Sequence, residues 1–375
     1  MSLDRLLSAL ADRREDFLKE TIDITEVPAP PFQEEIRSRY VARRYRELDY
    51  PVETDDLFNV VAEIHPSPGP TLLVAAHLDT VFPPETDVRV RVEGERAYAP
   101  GIRDNSAAVA ILLQVAAAWK EAPLSLPYRL LFAANVGEEG LGDLRGIRHL
   151  VDRLRPDAVV AFDGHLGSIV HEAVGSRRVK ATYRGPGGHS FGDFGRPSAL
   201  HAMGTFVHRF TQIPIPSEPR TTLNVGTLRG GTSVNAIAEE AEAYLDMRSG
   251  DEKELERLFN EASRLFFETA QEKKVEGTFE VVGNRPAGHL PSSHSLLVTA
   301  QKALLEQGLP FQMEPGSTDA NIPLAKGIPA LCLGATLGGG AHTLKEYLEI
   351  PSLLKGAQTL VRFLAMLSEE AFRRA

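Results

Sequence analysis

At 375 residues the chain is longer than the size at which one hydrophobic core usually stops growing, so two domains are expected, one of them free to interrupt the other. With 43% apolar and 25% charged residues it matches ordinary globular proteins, which argues against dominant disorder and against a core that depends on disulfides. A formal charge of -10, with no standout run of Lys and Arg, argues against a nucleic-acid partner, because phosphate binding needs a basic surface.

Met1 to Thr25 places Leu3, Leu6, Leu7, Leu10 and Phe17 at helical spacing among many charges and lacks the apolar block of a signal peptide. No later stretch approaches a membrane span, so no membrane is expected. Short apolar runs ending in polar or Gly-rich residues predict buried parallel strands at Thr71 to Ala76, Tyr128 to Asn135, Ala158 to Phe162 and Pro329 to Leu333. The last run holds the lone cysteine, Cys332, which reads as a buried, inert thiol and makes the cytoplasm the default compartment. Ser106 to Trp119 and Ser352 to Met366 are apolar helices between or after these strands. Strands alternating with helices predict an α/β fold, a mostly parallel sheet with α-helices on both faces.

The middle of the chain has another rhythm. Arg177 to Arg184 reads as a strand, followed by the glycine-rich stretch Gly185 to Gly195 and a helix over about Pro197 to Gln212. Thr221 to Arg229 and Ala238 to Arg248 alternate as strands, Asp251 to Lys273 is a long amphipathic helix capped by Asp251, and Thr278 to Val282 is a last strand. The order β-α-β-β-α-β is that of a ferredoxin-like α+β unit. It is expected as an insertion at 175–286, leaving 1–174 and 287–375 as one discontinuous catalytic domain.

Candidate chemistry gathers where the apolar runs end. In His77-Leu78-Asp79 the extended chain puts His77 and Asp79 on one side, so that a carboxylate can orient an imidazole, as a metal-bound histidine usually requires. Asp104 stands just before the helix at Ser106, where the plainer reading is a capping carboxylate. Glu138 and Glu139 follow a strand and face opposite ways if extended, one free to bind metal and the other to contact water; a solvated loop pair is the plainer reading. Asp163 ends a further strand, and His342 follows Cys332 to Gly340 into a Gly-rich loop. Together these place two His and three carboxylates at the C-terminal ends of four strands, where open α/β sheets gather ligands. Imidazole and carboxylate are ligands of hydrolytic zinc, and a shared carboxylate can bridge two ions. Metal-bound water deprotonates more readily, and Glu138 is the expected base as hydroxide attacks a carbonyl. Ser106 and Ser190 lack the G-x-S-x-G elbow of a serine hydrolase, and Gly185 to Gly188 lacks the G-K-[ST] ending of a phosphate loop.

With those residues in place, the chain resembles the M20 family of metallopeptidases, which includes glutamate carboxypeptidases, tripeptidases, and aminoacylase-like and succinyl-diaminopimelate deacylases. The resemblance covers nearly the whole chain and rests on the ordered motifs H-L-D at 77–79, G-I-R-D-N at 101–105, G-E-E-G at 137–140, F-D-G at 162–164, G-G-H-S at 187–190 and A-H-T at 341–343. It implies His77 and Asp163 on one metal, Glu139 and His342 on the other, and Asp104 bridging both. It further implies Asp79 in support of His77, Glu138 as general base and proton shuttle, and a cis peptide bond after Asp104. The inserted domain would be a lid and dimerisation domain, its His189 reaching a partner subunit's site to stabilise the oxyanion. Asn235 and Arg248 resemble lid residues that contact substrate carbonyl or carboxylate groups, and Arg285 could grip a free carboxylate. A surface ion pair is the plainer reading of both arginines. Gly316 to Asn321 resembles a substrate-pocket loop, whereas Arg103 and Asn105 depart from the family pattern. The expected protein is a homodimeric dinuclear hydrolase of short peptides, with zinc as first choice and cobalt or manganese as substitutes. An N-acyl-amino-acid deacylase is the alternative, and a non-catalytic metal- or peptide-binding protein is the remote one.

Overall fold

Mostly apolar runs four to seven residues long can be buried on both faces, which is the condition for a central parallel strand. In the computed structural model, which describes residues 2–374, four such runs form the middle of a nine-stranded sheet. Arg129–Asn135, Thr71–His77, Ala158–Phe162 and Ala330–Leu333 lie side by side in that order, each parallel to its neighbour. Val60–His65 and then Val52–Thr54 extend one side antiparallel. Ser168–Ala173 runs antiparallel to Ala330–Leu333 on the other side and pairs in parallel with Gln312–Gly316. The sheet is therefore mixed at its margins and parallel where its strands are most buried.

Ala107–Glu121 is buried without interruption from Ala107 to Trp119, since apolar residues surround its whole circumference. Leu3–Asp12, Arg14–Thr25 and Pro351–Met366 pack around it, while Arg145–Leu154 packs with Asn321–Ala325. Gly356 lets the helix Pro351–Met366 approach the Ala335 carbonyl so closely that a Cβ there would fall 1.9 Å from its oxygen. The segment leaving Ala330–Leu333 toward His342 is thereby held against that helix.

Contacts divide the chain into two compact units, one running through Ala173 and resuming at His289, the other Val174–Gly288. The second unit has its own core, in which the Tyr183 and Phe266 rings stack at 4.3 Å beside Phe206. Its sheet runs Thr221–Gly230, Glu240–Ser249, Gly175–Arg184, Glu276–Arg285, all antiparallel, with helices Ala199–Phe210 and Glu252–Lys273 packed on it. Asp251 caps the longer helix by accepting from the Glu254 N–H at 2.8 Å. Glu276–Arg285 is longer than the strand expected at Thr278 to Val282. Pairing with Gly175–Arg184 carries it across Gly277, Gly283 and Asn284, which have little strand preference of their own, with an irregularity between Val281 and Gly283. Among the described residues no helix is long and apolar enough to cross a membrane.

Candidate metal centre

Parallel strands of similar length end at one edge of their sheet, and this is what assembles the site. His77 is the last residue of its strand and lies opposite Asn135, the last of the next; Asp163 directly follows Ala158–Phe162. The fourth strand continues into Gly338–Gly339, which pairs back on Tyr347–Glu349, so that His342 sits in the turn between them with a left-handed φ of 63°. Asp104 lies in the irregular turn Ile102–Ser106 that opens helix Ala107–Glu121; the peptide bond between Asp104 and Asn105 is cis. Among the described residues no side chain caps that helix, so Asp104 does not play the capping role that its position also allowed.

The carboxylate of Asp104 faces two imidazoles instead. Its Oδ1 is 3.2 Å from His77 Nε2 and its Oδ2 is 3.3 Å from His342 Nε2. Each imidazole has a second carboxylate of its own, Asp163 at 3.7 Å from His77 Nε2 and Glu139 at 2.9 Å from His342 Nε2. Donor atoms of His77, Asp104 and Glu139 all lie within 4.8 Å of one another. Glu138 is buried one residue before Glu139, whose backbone is extended.

The tautomer of His77 tests whether a cation fits. Its Nδ1 lies 3.0 Å from the backbone carbonyl of Asp79, which can only accept, so in the neutral ring Nδ1 carries the hydrogen and Nε2 the lone pair. Among the described residues that Nε2 is buried without a hydrogen-bond partner, and it faces carboxylate oxygens. A lone pair set against anionic oxygens is repulsive unless positive charge stands among them, and imidazole with carboxylates is a donor set for divalent ions. Electrostatics agree. Burial alone would lower the His77 imidazole, but Asp104 and Asp163 outweigh it and hold it well above the usual histidine range. Contact with Asp104 and Glu139 pushes His342 up to about 10. Burial acts against ionisation of Asp104, yet the two imidazoles hold its carboxyl well below the usual range. Protons and metal ions compete for the same lone pairs, so these shifts mark a field that favours cations.

Asp79 acts differently from the sequence expectation. Its backbone carbonyl, and not its carboxylate, bonds the His77 ring, with the carboxylate oxygen at 3.7 Å. The carboxylate accepts instead from the backbone N–H groups of Glu138 at 3.0 Å and Glu139 at 2.7 Å, and so fixes the segment that carries both glutamates. Two further carboxylates escaped the sequence reading. Glu346 accepts from the N–H groups of Gly101, Arg103 and Asp104 at 2.9, 2.8 and 2.9 Å. Asp319, within the Gly316 to Asn321 stretch, accepts from Asn135 Nδ2 at 2.7 Å, and burial pushes its carboxyl up to about 7. The one available signal for Glu346 was a carboxylate four residues after a candidate histidine, which alone is uninformative.

In the second unit, Gly188–His189 pairs antiparallel with Ala236–Ile237, which places Asn235 beside that ladder; its backbone carbonyl accepts from Ser190. His189 is exposed, and its Nδ1 accepts from the N–H groups of Phe191 and Gly192, both at 3.2 Å, which leaves the hydrogen on Nε2. Arg248 pairs with Asp246 at 2.8 Å, and Arg285 is buried at the end of its strand, where it pairs with Ser176 in the ladder.

The chain matches the sequence pattern of "Peptidase family M20/M25/M40" over residues 73–366. It is 25% identical over 354 residues to succinyl-diaminopimelate desuccinylase from Corynebacterium glutamicum, covering 91% of this chain and 94% of that one. Among solved structures, a tripeptidase from Staphylococcus aureus superposes with a TM-score of 0.80 at 23% identity, covering 94% and 97% of the two chains. A dinuclear metal-binding peptidase of the M20 family from Bacillus subtilis superposes with a TM-score of 0.70 at 17% identity, covering 95% and 98%.

Proposed function

The chain belongs to peptidase family M20/M25/M40, and on that footing we propose that it holds two divalent metal ions and hydrolyses the amide bond of short peptides that bear a free carboxylate. One observation carries the two-ion reading: the two oxygens of Asp104 face different imidazoles, at 3.2 and 3.3 Å, and each imidazole has a carboxylate of its own. His77 and Asp163 would hold one ion, His342 and Glu139 the other, and Asp104 would serve both, with zinc as first choice and cobalt or manganese as substitutes. When bound, the ions supply Lewis-acid chemistry, polarising a carbonyl and lowering the pKa of water to about 7.

The chain's own groups do the rest. Asp79 holds Glu138 and Glu139 in register by their backbone N–H groups. Glu138 takes the proton of the attacking water and returns it to the leaving amine. His189, with its hydrogen on Nε2, donates to the oxyanion, acting across a homodimer formed through the Val174–Gly288 unit. Asn235 and Arg248 bind substrate carbonyl and carboxylate groups, Arg248 by exchanging Asp246 for substrate, and Arg285 answers a free carboxylate. Deacylation of N-acyl amino acids is the second reading, supported by the likeness to the C. glutamicum desuccinylase. Both reactions need the same base. Glu138→Gln should therefore cut turnover by about 100-fold or more while the metal content, read by atomic emission, stays that of the parent. Activity retained at parental metal content would remove Glu138 from the mechanism.

A further inference from the structure

The two histidines of the candidate centre sit on segments that each carry a buried carboxylate a few residues on, and each carboxylate grips backbone N–H groups of the segment bearing other candidate ligands. Asp79, two residues after His77, holds Glu138 and Glu139. Glu346, four residues after His342, holds Gly101, Arg103 and Asp104. Glu346 is 1% exposed, and among the described residues no Lys or Arg side chain pairs with it. Three converging N–H groups are thus its whole compensation for leaving water, which is a large commitment for a residue with no chemistry of its own. Its place is set by Tyr347–Glu349, which pairs residue for residue with Arg96–Tyr98, the strand that leads into the Asp104 turn.

Resting on the two-ion reading above, we propose that Glu346 is a positioning residue that sets the spacing of Asp104 and His342 and thereby builds the ion site shared by Asp104, His342 and Glu139. His77 and Asp163 are placed by adjacent sheet strands and need no such tie. His342 lies in a turn with 55% of its side chain exposed, and Asp104 lies in an irregular turn, so neither is placed by a ladder. Glu346 joins the two, four residues along the chain from His342 and accepting hydrogen bonds from the backbone N–H groups of Gly101, Arg103 and Asp104. Replacing one carboxylate oxygen with an amide NH2 sets donor against donor and releases part of the Asp104 turn.

The test is calorimetric titration of Zn2+ and spectrophotometric titration of Co2+ into the full chain after chelator treatment, comparing the parent with Glu346→Gln, Glu346→Asp and, as a control on the same strand, Glu349→Gln. The parent and the control should take up two ions. Glu346→Gln should bind one of them about 10- to 100-fold more weakly, with an altered Co2+ visible spectrum for that ion and a smaller loss for the other, which shares Asp104 but keeps its strand-borne ligands. Glu346→Asp, which keeps both oxygens, should recover part of the loss. A merely structural role would lower the melting temperature of the metal-free protein and leave the affinities of the folded protein alone; that result overturns the proposal. Loss of far-UV circular dichroism in both Glu346 variants also overturns it. Parent uptake of fewer than two ions sinks the two-ion reading and this inference with it, whereas two tight ions in Glu346→Gln sinks the inference alone.

Discussion

His342 shows how a residue's surroundings translate into a measurable pH effect. Its pKa is raised from the ordinary histidine value to about 10 by Asp104 and Glu139. In the metal-free protein these contacts favour the fold fully below the unfolded value of about 6.5, and that contribution is lost as pH rises through about 10. On the proposed assignment, metal uptake at neutral pH should expel protons from His342 and from His77, and affinity should rise with pH as His342 deprotonates. Calorimetry in buffers of different ionisation enthalpy should show net proton release; uptake without release would contradict the assignment of the imidazoles as ligands. At this scale the sequence made position legible and bonding partly so. His77, Asp104, Glu139, Asp163 and His342 each lie near an apolar run; for all but Asp104, which precedes the helix Ala107–Glu121, those runs are neighbouring strands of the sheet. The partner of the His77 ring and the grip of Glu346 depend on which backbone groups come to lie opposite, and no local pattern carries that information.

Among the elements, those that bury both faces were legible because nothing but burial explains an uncharged run, as at Ala158–Phe162. Strands that lean on a neighbour were not. Gln312–Gly316 contains Pro315 and Gly316 and exists because Ser168–Ala173 lies beside it, and Val52–Thr54 is three residues long. The strand Thr221–Gly230 bears on the proposed homodimer. Among the described residues it pairs only with Glu240–Ser249 and ends the four-stranded sheet, with Leu228 exposed. Unpaired edge groups next to exposed apolar surface invite a second strand, which is the element-level support for a homodimer. Sedimentation equilibrium should give the mass of a dimer at micromolar concentration; a monomer throughout would remove the role given to His189 across subunits.

The whole molecule divides its labour between two cores, one beneath the mostly parallel sheet and one beneath the antiparallel sheet of Val174–Gly288. The change of rhythm along the chain, from uncharged runs to alternating strands and back, made this α/β plus α+β character readable. Substrate choice was not readable, because the size of an acyl pocket is set by side chains from distant segments and the same proposed base and ligands would serve peptides and N-acyl amino acids alike. Metal-dependent amide hydrolysis is tested most directly by stripping the protein with a chelator, assaying it on a panel of di- and tripeptides and N-acyl amino acids, and restoring zinc, cobalt or manganese in measured equivalents. Turnover should be absent without metal and return as two equivalents are added, with the products separating peptidase from deacylase. Full turnover by the stripped protein, or none with any metal on any member of the panel, would contradict it.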